Sequence, residues 1–415
     1  MINPAAHEDT RAEKILVVIG IVVLAFNLRP AAVSVGPVLD ELTSGLGMTP
    51  TTAGVLTTLP VLAFAAFGAI APWLARRVGV HRVTLVSLAA VVVGLGVRSR
   101  VDNVPIFLLL SLLGLAGMAT ANVLLPSLVK LHFPHRVGLL TSIYSTALAV
   151  GLTAASVLTV PIAQQFDADG WRWGLFAWAV TALVAALPWI ALIRHDRTPP
   201  EVAHTVTLGD VARTRLGWAM AGFFGLQSLQ AYSIFGWFAQ VYRDAGFSAT
   251  TAGILLGVIT AMSIPLSFWV PSMAARMQNQ SWLVVGLLAC YPVGYLGLIF
   301  APVAGAWLWA VAVGTGAATF PLILTLIGLR ARTSAGTAAL SGFTQSVGYL
   351  IAAIGPFGVG VLYDLTGGWT VPLTALLVLA VPQLVIGLVV SRPSYIEDHL
   401  HRRPRPPVET RPFRR

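Results

Sequence analysis

The sequence predicts an all-α membrane protein of twelve transmembrane helices, arranged as two related halves of six. Three observations support this prediction. Of the 415 residues, 56% are hydrophobic and only 10% are charged, whereas a soluble chain carries about 25% charged residues. Twelve apolar stretches approach the roughly 20 residues that a helix needs to cross a bilayer. The two halves of the chain also match each other in register.

The apolar stretches fall into two groups of six around a polar segment that contains Pro199 and Pro200. We expect a cytoplasmic N-terminus at 1–14, a first half at 15–193, a cytoplasmic linker at 194–215, a second half at 216–391 and a basic, disordered cytoplasmic tail at 392–415. The predicted spans lie near 15–38, 53–75, 83–98, 104–129, 139–163, 171–193, 216–240, 251–275, 282–300, 304–328, 336–362 and 370–391.

Loop charges predict the orientation. With both termini in the cytoplasm, the segments on that side hold 21 basic residues and the opposite side holds 4. Positive loops stay in the cytoplasm, so we expect a multi-pass protein of the inner membrane. The net charge of +10 resides in these loops and the tail, which favours contact with lipid headgroups over binding of nucleic acid.

No known catalytic or cofactor motif is present. We find no phosphate-binding loop, dinucleotide fingerprint or zinc spacing, and Cys290 is the single cysteine. Histidines in the predicted cytoplasmic loops, among them His81 and His132, lack metal-ligand spacing. We therefore expect no cofactor and no metal, and any solute movement must be driven by a gradient.

An internal repeat relates the two halves. A shift of 199 positions places residues 51–54 on 250–253, both Thr-Thr-Ala-Gly, and Gly47 on Gly246. Two parallel units of six helices are the plan of the major facilitator transporters, whose halves rock about a central site.

Arg29 is the one basic residue that we place well within a predicted span, and every acid lies outside the spans or at their ends. A central arginine costs roughly 2.5–3.5 kcal/mol and needs a partner or a water-filled cavity. Pro30 and Gly36-Pro37 are expected to bend this helix. Arg29 either ties helix carbonyls structurally or, as we prefer, presents a positive charge to a solute in the cavity.

The repeat places Arg29 level with Ser228, inside a polar part of the seventh span. We predict that this part faces the solute, although glutamines that only join helices are common in membranes. Weaker candidates in other spans share an amide or a hydroxyl. The predicted substrate-binding residues are Asn27, Arg29, Asn122, Tyr144, Gln227, Gln230, Tyr232, Trp237 and Gln345.

Three strings resemble the cyanate and 2-nitroimidazole transporter (CynX/NimT) family of the major facilitator superfamily. They are Asn-Leu-Arg-Pro at 27–30 leading to Gly36-Pro37, Gln-Ser-Leu-Gln-Ala-Tyr at 227–232, and the stretch 340–349. The superfamily's loop motif between helices two and three is partly present, with Arg77 and Gly79 fitting as a cytoplasmic gate. Arg76 stands at its acidic position and Pro72 at a glycine.

The resemblance implies transport of small polar or anionic compounds such as cyanate or nitro-heterocycles. Our main hypothesis is a monomeric secondary transporter that works by alternating access. Alternatives are an exporter of toxic or antimicrobial compounds, a receptor built on a transporter fold, and a membrane enzyme. A receptor would usually add a signalling domain, and we expect neither the linker nor the tail to be long enough for one. An enzyme would need a paired acid and base, and no predicted span contains such a pair.

Overall fold

The computed structural model describes residues 11–133, 136–166, 169–193 and 206–400, and all regular structure in these ranges is helical. The first half begins with an interrupted helix, in which a 3₁₀ turn, Gly36–Val38, separates α2 from α3. Its helices are α1 Arg11–Asn27, α2 Pro30–Val33, α3 Leu39–Leu46, α4 Pro50–Val78, α5 Val80–Arg98, α6 Val104–His132, α7 Val137–Ala163 and α8 Gly170–Leu192.

A short helix, α9 Leu208–Ala212, lies in the predicted linker, and residues 194–205 lie outside the described ranges. Four of the six spans in the second half are broken into two consecutive helices. The helices are α10 Arg215–Asp244, α11 Ala249–Ala261, α12 Ser263–Arg276, α13 Ser281–Leu288, α14 Cys290–Phe300, α15 Ala306–Ala317, α16 Thr319–Leu329, α17 Ser334–Ala352, α18 Ile354–Thr366 and α19 Thr370–Val390.

Eleven helical segments of the described chain are long and apolar enough to cross a membrane. The remaining predicted span corresponds to α10, which is 30 residues long but carries three glutamines, two serines and three charged residues. Most of α10 is buried by the helices around it. Protein neighbours, more than lipid, surround this helix, so it needs less hydrophobicity than a lipid-facing one.

The repeat found in the sequence is also a structural repeat. Gly47 and Gly246, 199 positions apart, both adopt positive φ, at 64° and 100°, a conformation that glycine reaches without strain. Two positions later, Thr49 and Ser248 are the N-caps of α4 and α11, and each side chain accepts the backbone N–H three residues on. The same turn therefore starts the second span of each half.

The halves meet at one end of the bundle, which we call the outer end because its loops, among them 47–49 and 245–248, are predicted to face the periplasm. The hydrogen bonds that join the halves in the described structure run from this end to the middle of the bundle, from Thr51–Asp364 to Arg29–Tyr232. None lies nearer the opposite, inner end. The described hydrogen bonds between the halves are therefore confined to the outer end and the middle of the bundle.

Part of the segment predicted as a disordered tail is ordered. Residues Ile396–Leu400 form α20, and Glu397 accepts hydrogen bonds from the backbone N–H groups of Arg332 and Thr333 at 3.0–3.1 Å. These groups lie just before α17, so the carboxylate satisfies donors next to a helix N-terminus. Residues 401–415 lie outside the described ranges.

Candidate functional site

The first span is broken at Arg29. Helix α1 ends at Asn27 and α2 begins at Pro30, with Arg29 as its N-cap. Pro30 has no N–H to continue the α1 hydrogen-bond ladder, and its ring disfavours helical backbone before it. The Arg29 carbonyl instead accepts from Val33, and the chain re-enters helix. The predicted bend is thus present, and it sets the direction in which the arginine side chain leaves the helix.

The Arg29 guanidinium lies between the two halves. Its Nη1 is 3.5 Å from the Tyr232 hydroxyl of α10, and its Cζ is 5.7 Å from the ring centroid of Phe64 on α4. The residue is half-buried. Within the described chain, no carboxylate forms an ion pair with Arg29. A partly buried cation with one long hydrogen bond keeps donor capacity for another group.

An aromatic layer lies beside Arg29. The rings of Phe64 and Tyr349 stack across the two halves at 4.9 Å, with 19° between their planes. Tyr349 also contacts Phe224 edge-on at 5.0 Å and Tyr232 at 6.4 Å. These rings come from α4, α10 and α17, and each is buried. Phe64 contacts both Tyr349 and the Arg29 guanidinium, so the layer lies where the two halves meet.

The glutamines of α10 contact helices of their own half. Gln227 donates to the carbonyl of Ala317 at 3.4 Å. Gln230 is fully buried, donates to the carbonyl of Leu376 at 2.8 Å, and accepts from the Tyr295 hydroxyl at 2.5 Å. The predicted polar cluster is therefore divided, since Tyr232 reaches Arg29 while both glutamines bind α14, α15 or α19.

Trp237 is also occupied within the second half. Its indole N–H donates to the carbonyl of Pro356 at 2.9 Å, and its ring lies 5.9 Å from that of Trp369. Both residues lie toward the outer end, beyond the aromatic layer around Arg29. Trp237 therefore holds α10 against α18 there.

The remaining candidates are distributed over four helices, α1, α6, α7 and α17. Asn27 donates to the carbonyl of Val23 and accepts from Thr181, at 2.8 and 2.7 Å. Gln345, one turn before Tyr349, is half-buried and donates to Ser341 at 2.7 Å. Asn122 is half-buried, and within the described chain its amide has no hydrogen-bond partner.

Tyr144 on α7 is half-buried, and its side chain lies close to that of Thr141. Neither Tyr144 nor Asn122 forms a hydrogen bond or ring contact with Arg29 in the described structure. They remain predicted substrate-binding residues.

A groove of about 560 Å³ lies between α1, α7 and α8, away from Arg29. Its lining is almost entirely apolar, and Val180 and Val184 at its rim are about half exposed. Asn27 contributes to this lining although its amide is engaged elsewhere. On the lipid-facing surface of a membrane bundle, such an apolar groove suits an acyl chain better than a polar solute.

The predicted gate residues lie at the inner end of α4. Gly79 ends this helix with φ of 103° and donates to the carbonyl of Ala75. The Arg77 guanidinium lies 4.5 Å from the ring centroid of Trp73. The side chain of Arg76 lies outside the described part. For the described residues, the motif therefore supplies a turn and a cation–π contact.

Two sets of buried polar residues differ from the sequence-based expectation. Arg98, expected in an outer loop, is completely buried at the end of α5, and two of its nitrogens lack a partner. His81 and His132, expected in loops, are buried helix residues whose Nε2 atoms lie 2.9 Å apart. Hydropathy alone could not reveal these positions, because the burying surface comes from other helices.

Comparisons with known proteins agree with this architecture. A model of the Major Facilitator Superfamily matches residues 16–356. An uncharacterized transporter of Bacillus subtilis, YycB, is 35% identical over 95% of this chain and 97% of its own length. The Escherichia coli 2-nitroimidazole transporter is 34% identical over 92% of this chain and 97% of its own.

The Escherichia coli cyanate transport protein CynX is 30% identical over 84% of this chain and 90% of its own length. Among solved structures, a bacterial homologue of the human lysosomal transporter Spinster, in an inward-facing and occupied conformation, superposes with a TM-score of 0.79. That match has 15% identity and covers 94% of this chain and 99% of the other. Twelve helices in two repeated halves, together with these similarities, establish that the chain belongs to the major facilitator superfamily, in the branch of the 2-nitroimidazole and cyanate transporters.

Proposed function

We propose that this protein is a secondary transporter for a small anionic or strongly polar solute of the cyanate or nitro-heterocycle class, and that Arg29 is its anchor. The observation that carries the proposal is the state of the Arg29 guanidinium. It lies between the halves, with one long hydrogen bond to Tyr232 and Phe64 at its other side. An anion or a polarised oxygen would provide the charge-assisted partner that the described chain does not.

The position of Arg29 suits alternating access. Its contacts, Tyr232 and Phe64, belong to different halves, so a solute bound there touches both. A solute that is held by both halves binds best when they approach one another, and such differential binding shifts the conformational equilibrium. The names of the E. coli relatives support the solute class.

The test is uptake by purified protein in proteoliposomes, with cyanate and 2-nitroimidazole as probes. We expect Arg29→Ala to raise the half-saturating concentration or lower the rate roughly 10- to 100-fold, the range for loss of one charged hydrogen-bonding partner. Arg29→Lys keeps the charge but loses the planar fork, so it should retain part of the activity.

Arg213→Ala is the matched control, because Arg213 is an exposed arginine in the linker region. It should transport like the unmodified protein. Transport of both probes by Arg29→Ala with unchanged affinity would contradict the proposal.

A further inference from the structure

An ionic cluster joins the halves at the outer end. Arg243 lies in the last turn of α10, in the second half, and donates to Glu41 Oε2 at 2.6 Å and to Asp40 Oδ2 at 3.1 Å. Both acids lie in the first turn of α3, in the first half. Arg243 is 18% exposed, and the acids are about 40–50% exposed. One arginine therefore clamps two carboxylates across the line along which the halves must separate.

Two further hydrogen bonds flank this cluster and obey the internal repeat. Thr51 of α4 donates to Asp364 of α18 at 2.7 Å, and Thr250 of α11 donates to Gln164, just after α7, at 3.0 Å. Thr51 and Thr250 are 199 positions apart. Each half thus reaches the other through the same position, and this pair of contacts belongs to the symmetric plan of the fold.

The ionic cluster does not follow that symmetry. A shift of 199 places Asp40, Glu41 and Arg243 on Ala239, Gln240 and Ser44, which cannot form an ion pair. The three charged residues therefore join the halves on one side of their contact only and have no counterpart at the repeat-related positions.

The cluster and the candidate solute site hold the same two spans together. Tyr232 and Arg243 both lie on α10 and are 11 residues apart, about 16 Å along a helix. Tyr232 meets Arg29, and Arg243 meets the acids of α3, which follows Arg29 in the first span. Between these two contacts, Gly36 lies against the backbone oxygen of Phe235, where a Cβ would collide. Opening the outer end must break the ionic contact as well as the inner one.

We propose that Arg243, Asp40 and Glu41 form an outer latch that stabilises the outward-closed state and so sets the balance between the two conformations. Removing the latch leaves the symmetric threonine contacts in place and shifts the population toward the outward-open state. The proposal concerns this equilibrium and does not depend on the identity of the solute.

The test measures the exposure of a residue that is covered by the contact between the two halves. Thr57 is buried against Gly236 of the other half, whose ideal Cβ would lie 2.8 Å from Thr57 Cβ. With Cys290, the single native cysteine, replaced by serine, Thr57→Cys provides one reporter thiol. Its reaction rate with N-ethylmaleimide is measured on purified protein in detergent, where both ends of the bundle are accessible.

We expect Arg243→Gln to raise the labelling rate about five-fold, the ratio expected for loss of an ion pair at the upper end of the exposed range. Arg243→Lys should raise it less. Asp40→Asn combined with Glu41→Gln should match Arg243→Gln. The variant that combines all three substitutions should label no faster than Arg243→Gln or the double acid variant. The effects of substitutions that remove the same contact are not additive.

Arg172→Gln is the matched control. Arg172 also lies at the outer end and pairs with Asp102 and Asp169, but all three residues belong to the first half. Its labelling rate should stay at the starting value. An unchanged rate in both Arg243→Gln and the double acid variant, or an equal rise in Arg172→Gln, would overturn the latch.

Discussion

Arg29 and Gln230 show how the surroundings of one polar side chain decide its role. Both lie near the middle of the bundle. Gln230 is fully buried, and its donor and acceptor groups are used by Leu376 and Tyr295. Arg29 is half-buried and has one long contact with Tyr232. A satisfied amide joins helices, whereas an under-used guanidinium can take up a ligand.

This difference predicts separate effects on stability and transport. We expect Gln230→Leu to lower the free energy of unfolding by about 1 kcal/mol, because Tyr295 and Leu376 lose their partner. Tyr295→Phe should cost a similar amount, and the double variant should cost less than the sum of the two.

Thermal denaturation in detergent and transport kinetics would check this prediction. The half-saturating concentration of Gln230→Leu should stay within about two-fold of the original value, since a residue outside the site adds little to binding. A large rise in the half-saturating concentration with unchanged thermal stability would instead indicate that Gln230 contacts the solute.

Short interruptions position the functional side chains at the scale of helices. Pro30 ends the α1 ladder and directs Arg29 between the halves. Helix α20 is positioned in a different way, because the Glu397 carboxylate accepts hydrogen bonds from backbone N–H groups just before α17. Burial alone would raise the pKa of Glu397, but hydrogen bonds from the Arg332 and Thr333 backbone and the Thr333 hydroxyl bring it below its ordinary value of 4.5.

The lowered pKa of Glu397 predicts a pH-dependent contribution of α20 to stability. A carboxylate whose pKa is lower in the folded protein stabilises it above the unfolded pKa, and this stabilisation is lost as the pH falls through the folded value. Glu397→Gln should therefore lower the free energy of unfolding at neutral pH by about 1 kcal/mol. The difference should shrink as the pH falls below 4.5, the ordinary pKa of a glutamate.

Asp398→Asn is the control for this experiment. Asp398 pairs with Arg332, but both side chains are about half exposed. Removing this pair should therefore lower the free energy of unfolding by at most about 0.5 kcal/mol. Thermal midpoints measured from neutral pH down through the lowered pKa of Glu397 separate the two variants. Equal losses would mean that α20 is held by surface charge and not by the buried hydrogen bonds.

The orientation of the chain is a property of the whole molecule. With 21 basic residues on one side and 4 on the other, we predict that the closed end faces the periplasm and both termini face the cytoplasm. The inner end, where the described residues form no hydrogen bond between the halves, would then open to the cytoplasm.

Reporter fusions after residue 400 would check this orientation. A fluorescent protein that matures in the cytoplasm should be bright, and alkaline phosphatase, which needs the periplasm, should be inactive. The opposite pattern would reverse the assignment and place the Arg243 latch on the cytoplasmic side.

The sequence by itself determined the class and the plan of the molecule. Apolar runs, loop charges and the 199-residue repeat are signals carried by neighbouring residues or by the order of the chain, so they survive without a structure. They predicted twelve helices, two halves and Arg29 as the residue to examine. The bend at Pro30 was predictable for the same reason, since it follows from the geometry of one residue.

Only the tertiary structure decided which polar groups meet. Phe64 gave no signal within an apolar run, yet it stacks on Tyr349 from the other half, 285 positions away along the chain. Gln227 and Gln230 looked equivalent to Tyr232 in sequence, but in the structure they form hydrogen bonds with neighbouring helices of their own half. The closed outer end and its latch likewise depend on contacts between Arg243 and acids about 200 residues earlier, because such pairs form only when the halves pack together.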